Sequence, residues 1–281
     1  MGILNKLSGI HSVHSEHGEM VDHMLEFVHW FMLVLFVGWS AYMCIVLWKF
    51  RQKKHPVADY HGVRNHASSH IEFGVVLVEA VLLLGFAFPL WGRRVDVDQF
   101  PNDPDVVKVR AVGEKFKWTF HYPGADGSFG RVDHDLMTNA NNVLGVDASD
   151  PNSKDDKMSG GELVLPVNRR VIIEVSSKDV IHNLALVPMR MAHDATPGIP
   201  ATMWFKPTST GEWDIICGQL CGPGHAIMKA TLKVVSEKDY EAWLKDAALA
   251  APAAATAPSA PAPPPAPSPI PGGQAPPTPK Q

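Results

Sequence analysis

Ile215–Met228 reads IICGQLCGPGHAIM and sets Cys217, Cys221, His225 and Met228 at intervals of four, four and three residues. Thiolate and thioether sulfur beside imidazole is the donor set that selects copper, whereas hard cations prefer carboxylates and carbonyls. Gly218, Gly222, Pro223 and Gly224 keep the stretch out of regular helix or strand, so it can wrap around a point and aim several side chains inward. Two other readings stay open at this stage. Cys217 and Cys221 could form a disulfide in an oxidising compartment, or they could share a zinc ion with His225. The disulfide needs neither the histidine nor the methionine, and zinc makes no use of the thioether, so donor softness favours copper. A loop is only part of a closed soft-metal site, and β-sandwich copper proteins draw another histidine from a different strand end. His182, at the end of the apolar run that begins at Val171, is the candidate. The third of the three cysteines, Cys44, lies within an apolar run and reads as a small apolar filler.

The elements around the loop must position it. Phe27 to Trp48 runs 22 residues without Asp, Glu, Lys or Arg, enough helix at about 1.5 Å per residue to cross a hydrocarbon core of roughly 30 Å. Phe73 to Trp91 is a second such run with one interior acid, Glu79. Trp30, Trp48 and Trp91 mark interfacial ends. Lys49, Arg51, Lys53, Lys54 and Arg64 lie between the runs, against Lys6 alone before the first. That bias places the connecting loop in the cytoplasm and both termini outside. The first twenty residues lack an apolar h-region, so the first span is expected to serve as the insertion signal rather than a cleavable peptide. His11, His14, His17 and His23 read as polar surface ahead of that span.

From Val95 to Asp246 the chain carries 16 Lys plus Arg and 22 Asp plus Glu, a net charge of −6. An acidic surface of this kind can steer a basic partner. The runs DVVKVRAVG, ELVLPV, RRVIIEVSS and ATLKVVS are β-branched, partly alternating and bounded by turn residues, the pattern of an all-β sandwich or barrel. EKDYEAWLKD reads as a short helix capped by Ser236. Ala247 to Gln281 holds 12 of the 24 prolines and one charge, Lys280, and is expected to be disordered or partly polyproline II. No C-x-x-C-H occurs, so no covalently attached c-type haem is expected and electrons for a copper centre would come from a separate donor.

These residues carry a resemblance to a known family. SSKDVIHN, HDATPGI, CGQLCGPGHAIM and the aromatic stretch GEKFKWTFHY, in that family's order, resemble subunit II of the haem-copper cytochrome c oxidases, and the likeness extends from the first span to Asp246. It implies a membrane-anchored all-β fold, a two-helix transmembrane hairpin followed by a cupredoxin-like β-sandwich. Its parts would be an external segment 1–26, a hairpin with a cytoplasmic loop 27–92, a copper domain 95–236, a short helix 237–246 and the tail 247–281. The resemblance implies a dinuclear copper centre, CuA. Cys217 and Cys221 would bridge both coppers, His182 and Met228 would complete one, and His225 with the backbone carbonyl of Gln219 the other. It further implies an oxidoreductase subunit that takes electrons from cytochrome c or another c-type haem donor and passes them to haem and copper in subunit I. The setting would be a multi-subunit oxidase of the bacterial inner membrane, with the copper domain on the periplasmic side. No nucleic-acid partner is expected.

Departures from the family carry consequences of their own. Gln219 stands where most members have a Glu that helps bind magnesium at the subunit I contact, and a neutral amide is a poorer ligand for a hard cation, which puts that magnesium in doubt. AHDATPGI, residues 192–199, lacks the family's Lys and Arg at its two ends. Phe116 stands where the family places a Trp proposed to receive the electron. Glu72 falls where the family has a Glu at the mouth of a proton-uptake path, while Glu79, two turns deeper, has no assigned task. A copper-free quinol oxidase subunit of the same fold is disfavoured by the intact ligand set. A membrane-anchored copper-delivery protein is disfavoured by Glu72 and the aromatic stretch.

Overall fold

The structure is a computed structural model that describes residues 2–57, 60–61, 66–96, 98, 100–124, 126–137 and 142–246. Arg64 and the tail 247–281, for which disorder is expected, lie outside the described residues. Two long helices dominate the N-terminal third. A short helix α1 (Ile3–Leu7) precedes α2 (Gly18–Lys49), and α3 (Ala67–Leu82) continues through one π-helical turn, Leu83–Ala87, into α4 (Phe88–Val95). Pro89 accounts for the π turn. It has no N–H and its ring would strike the carbonyl of Gly85, so the helix widens just ahead of it. The two helical stretches, Gly18–Lys49 and Ala67–Val95, are both long and apolar enough to cross a membrane. Phe36, Leu47, Phe73 and Leu84 on them are exposed, a surface suited to hydrocarbon or to another subunit.

Among the described residues, ten strands follow in two five-stranded sheets. One has the order β3-β2-β1-β5-β8, with β3 at Lys157–Gly160 and β8 at Ala201–Phe205, and the other β4-β10-β9-β6-β7, with β4 at Glu162–Pro166 and β7 at Met191–Ala195. In the first, β1 (Val107–Glu114) pairs antiparallel with β2 (Lys117–Tyr122) and parallel with β5 (Val171–Ser177). Their buried positions alternate along β1 and β5, as expected of strands with one face on a core. In the second, β9 (Gly211–Cys217) lies between β6 (His182–Leu186) and β10 (Lys229–Val235). Trp118, Phe120, Tyr122, Ile173, Leu184, Phe205, Ile215 and Leu232 fill the space between the sheets. The four β-rich runs of the sequence became β1, β4, β5 and β10. After them α5 (Glu237–Lys245) begins at Ser236, whose hydroxyl accepts the Asp239 N–H at 3.2 Å.

A lobe, residues 123–156, interrupts the first sheet between β2 and β3 (Lys157–Gly160). Its buried Asp156 lies 2.7 Å from His121 Nε2 on β2 and accepts the Gly130 N–H at 2.9 Å, which ties the lobe to the sheet. Seven aspartates against Arg131 and Lys154 give the lobe a net charge of −5, most of the −6 between Val95 and Asp246. The acidic excess is therefore concentrated, not spread over the domain.

The N-terminal segment departs from its reading as polar surface. His11 and His23 are exposed, but Ser15, His17 and Asp22 are buried against the β-domain. The His14 and Glu16 amides donate to the Pro188 and Lys206 carbonyls at 2.8 and 3.0 Å, and Ser15 Oγ donates to the Met189 carbonyl at 2.7 Å. Arg190 pairs with Asp22 at 2.7 Å, both nearly enclosed. A polar segment without periodicity gave no sign of this, because its partners are scattered between residues 188 and 209. Burial, then the charge of Arg94, push the His17 pKa from 6.5 down to about 4, against smaller opposing pulls from the Arg190 backbone and Glu16. Between those values the released segment binds a proton that the docked one does not, so docking weakens as pH falls from 6.5 toward 4 and is insensitive above 6.5. Hydrogen-exchange protection of the His14 and Glu16 amides should fall over that window in the native chain and fall less in His17→Leu, where only His14, also lowered by burial and by Arg190, still couples docking to pH. Asp22→Ala should lower it at every pH by about 3 kcal/mol, because Arg190 is left buried without its anion.

Candidate metal centre

Residues 218–228 form the loop between β9 and β10, and their position follows from how the two strands close beneath them. Ile216 pairs with Lys229, and the Cys217 N–H donates to the Met228 carbonyl at 3.2 Å. On the other side β6 pairs with β9 through Leu184 and Cys217, and the Gly218 N–H donates to the Asn183 carbonyl at 3.0 Å. His182 lies two residues before Leu184 and so shares its face of the sheet. A 3₁₀ turn, His225–Ile227, folds the end of the loop back so that His225 and Met228 return to the cysteines.

Six donor atoms converge. Cys217 Sγ is 3.9 Å from His182 Nδ1 and 3.2 Å from the Gln219 carbonyl oxygen. Cys221 Sγ is 3.7 Å from His225 Nδ1 and 3.8 Å from Met228 Sδ. The two sulfurs are 3.9 Å apart and both thiols are free, so the disulfide does not form here. His182, Met228, Cys217 and Cys221 are buried and His225 is half-buried. Among the described residues, His182, Cys217 and Cys221 are the one group of His, Cys, Asp or Glu side chains drawn together tightly enough to hold a metal ion. As a free thiol Cys221 holds its proton firmly. Burial pushes Cys221 up to about 11, and neighbouring Cys217 adds to the shift.

The surroundings hold the ligands in place. His182 Nε2 lies 2.9 Å from Asp179 Oδ1, and Asp179 accepts the Lys115 and Val180 amides at 2.9 and 2.7 Å. Burial disfavours the Asp179 carboxylate, but these hydrogen bonds outweigh it and hold its pKa below the usual value. A carboxylate on the far nitrogen of a ligating imidazole fixes its tautomer and orientation. The sequence reading missed Asp179, although a carboxylate three residues before His182 in SSKDVIHN was a signal for it. Trp118, fully buried, meets His182 edge-on at 6.0 Å between ring centroids. Gly113 makes room for both rings, since a Cβ there would fall 2.9 Å from His182 Cδ2 and 3.1 Å from Trp118 Cζ3.

Phe116, half-buried in the turn between β1 and β2, lies on the loop itself. A Cβ at Gly224 would strike its ring, and one at Gly222, which sits at φ +136°, would fall 3.3 Å from it. Gln219 contributes its backbone to the cluster, while its side chain is exposed. Glu72 is not part of this site. It sits exposed near the start of α3, and the end of the second span that adjoins the β-domain is α4.

Residues 107–235 match the family described as cytochrome c oxidase subunit II, periplasmic domain. The chain is 29% identical over 227 residues to an alternative cytochrome c oxidase subunit 2 of Bradyrhizobium diazoefficiens, covering 80% of this chain and 79% of that one. It is 27% identical over 242 residues to cytochrome c oxidase subunit 2 of Cereibacter sphaeroides, covering 78% and 76%. The crystal structure of the periplasmic domain of subunit II of a Bradyrhizobium japonicum cytochrome oxidase aligns at 31% identity over 51% of this chain and 93% of that one, with a TM-score of 0.37.

The dependence of the site on Asp179 is directly testable. Asp179→Asn keeps the size of the side chain and removes its charge, so copper affinity of the full chain should fall by about 10- to 100-fold in a competition titration. An unchanged affinity would mean that the sheet alone orients His182.

Proposed function

Because this chain belongs to the subunit II family of the cytochrome c oxidases, we propose that it is the electron-accepting subunit of a respiratory oxidase. It takes electrons from a c-type haem donor and delivers them to subunit I, where oxygen is reduced to water and protons are translocated. The observation that carries this reading is the grouping of donors, one imidazole and one weak ligand beside each of two free thiols. Six donors exceed what one tetrahedral zinc can use, and they suit two coppers that share both thiolates, the CuA arrangement. His182 and Met228 would serve one copper, and His225 with the Gln219 carbonyl the other. Bound there, the pair would supply a one-electron carrier whose charge is spread over both metals and whose potential the weak Met228 and Gln219 ligands tune.

The chain's own residues do the rest. Burial of His182, Cys217, Cys221 and Met228 excludes water, and the strands beneath them fix the ligands in one arrangement in either redox state. Phe116 covers the loop and gives a donor an apolar surface above the centre. The neutral Gln219 side chain is a poor ligand for a hard cation, so we assign no magnesium to it. Glu72 and Glu79 are seven residues apart on α3 and therefore share a helix face. Both are exposed in the isolated chain. A carboxylate inside a bilayer costs on the order of 3 kcal/mol or more, so this face is covered by subunit I, with Glu72 admitting protons from the cytoplasmic side. The N-terminal segment docks on the β-domain, which supports placing the N-terminus and the copper domain together on the periplasmic face of a bacterial inner membrane.

Copper loading of the full chain in detergent should give two coppers per chain, a purple protein, and electron paramagnetic resonance hyperfine structure from one electron shared by two nuclei. One copper per chain, or a Cys217–Cys221 disulfide that persists when copper is supplied, contradicts the reading. Met228→Leu should keep the colour and shift the potential, since a weak ligand tunes more than it holds. In the assembled oxidase Glu72→Gln should slow turnover while reduction of the copper centre by the donor stays unchanged. Normal turnover of that variant removes the proton role.

A further inference from the structure

The short helix α1 is fastened across the end of the first span that adjoins the β-domain. Glu26 does the fastening, one residue before the uncharged run Phe27–Trp48 begins. Its carboxylate accepts the Leu4 and Asn5 N–H groups at 3.1 and 3.0 Å and the Trp30 indole N–H at 3.1 Å. Buried Asn5 donates to the Asp22 carbonyl at 2.8 Å, and a Cβ at Gly2 would strike the Glu26 carboxylate. α1 thus sits at the level where Trp30 marks the edge of the hydrocarbon. Ile3 and Leu7 are four residues apart, so they share a face of α1. They are 68% and 79% exposed. A helix fixed at the membrane edge with its apolar face turned outward is suited to lipid, not to water.

A groove of about 300 Å³ lies between α1 and α2, lined by Leu4, Ser8, His29, Met32, Leu33 and Phe36. Phe36 stands ten residues beyond Glu26, about 15 Å farther along the helix, so the groove reaches the depth of lipid acyl chains. His29 Nδ1 lies 2.6 Å from the Leu25 carbonyl of its own helix, which leaves the groove wall largely apolar. The second span is on the other side of α2, where Phe27 meets Phe86 at 6.4 Å between ring centroids. At about 100° per residue, His29, Leu33 and Phe36 face away from Phe27. α2 itself therefore separates the groove from α3, which carries the face assigned above to subunit I. Charge adds a second constraint. Residues 1–15 contain no Asp or Glu, and Lys6, exposed on α1, forms no ion pair among the described residues. The exposed Glu19 stands seven residues before Glu26, about 10 Å farther from the hydrocarbon. We propose that α1 and this groove seat one anionic phospholipid of the leaflet on the β-domain side, with an acyl chain along Met32, Leu33 and Phe36 and the phosphate at Lys6. Ile3 and Leu7 rest in the same leaflet. Since His14 and Glu16 are hydrogen-bonded to the β-domain, the residues between α1 and His14 are held at one end by lipid and at the other by the domain.

The test uses the assembled oxidase in nanodiscs of phosphatidylcholine mixed with phosphatidylglycerol. Leu7→benzoylphenylalanine, which introduces a photoreactive side chain at an exposed position, should give phospholipid adducts on illumination. Those adducts should be enriched in phosphatidylglycerol over its share of the disc, and Glu19→benzoylphenylalanine should give none. Lys6→Gln should lower the enrichment about fivefold, the effect of one lysine near an anionic surface. Native mass spectrometry of the oxidase released from the discs should find one fewer retained phospholipid in Leu33→Trp, whose larger ring fills the groove. Adducts from position 7 to another subunit overturn the proposal, because the face is then covered by protein. The absence of any adduct there also overturns it, since α1 would stand in water. Phosphatidylglycerol captured only in its bulk share, with Lys6→Gln no different, reduces the contact to ordinary boundary lipid and overturns the seat, as does an unchanged lipid count in an assembled Leu33→Trp oxidase. If Leu33→Trp fails to assemble, the crosslinking of position 7 with and without Lys6→Gln decides alone.

Discussion

Two cysteines buried 3.9 Å apart, each beside an imidazole, place a demand on the backbone that the rest of the β-domain meets. Their ligand partners come from three places, the start of β6, the end of β9 and the far end of the loop. Two backbone hydrogen bonds join these, Cys217 N–H to the Met228 carbonyl and Gly218 N–H to the Asn183 carbonyl. The register of β6 on β9 then decides whether His182 faces the sulfurs or the opposite side, because a slip of one residue reverses every side chain. The strand pairing is in this sense part of the site. The core that fixes the pairing, from Trp118 and Phe120 to Ile215 and Leu232, reaches the ligands without a break, since Cys217, Cys221 and Met228 are members of it.

Asp179 links this frame to the surface. One carboxylate accepts from the His182 ring and from the amide of Lys115, the residue before Phe116. The aromatic ring over the loop and the most enclosed ligand are therefore referred to the same anchor. Gly222 and Gly224 complete the contact. They let the loop turn, and their missing side chains let Phe116 lie against it. A donor resting on Phe116 would meet a surface held at a fixed position relative to the sulfurs, the condition under which an electron crosses with little rearrangement.

The cluster of soft donors was legible in the sequence because chemistry and spacing coincide there, with sulfur and imidazole close together in a stretch too rich in glycine to be regular structure. The two spans and four of the strands were legible from hydropathy and alternation. β6 to β9 were harder to read, since HNLAL, MAHDA and GEWDIIC mix polar residues into short runs and owe their strand form to neighbours already in the sheet. The π turn before Pro89 and the docking of Ser15 and His17 depend on contacts that no local pattern encodes. A sum over the domain also hides that most of the acid lies in one lobe.

Above the membrane the chain is closed into one body by the N-terminal segment, whose contacts between residues 188 and 209 brace the β-domain against the first turns of α2. That bracing matters only if the domain holds a centre whose position over the membrane counts, so the account returns to the six donors. X-ray absorption at the copper edge of the copper-loaded full chain tests it most directly. Two bridging thiolates predict sulfur scatterers on every copper and a copper–copper contribution that disappears together with the purple colour in Cys217→Ser and in Cys221→Ser. A spectrum with no copper–copper contribution, or one that survives loss of either cysteine, would contradict a dinuclear centre bridged by Cys217 and Cys221.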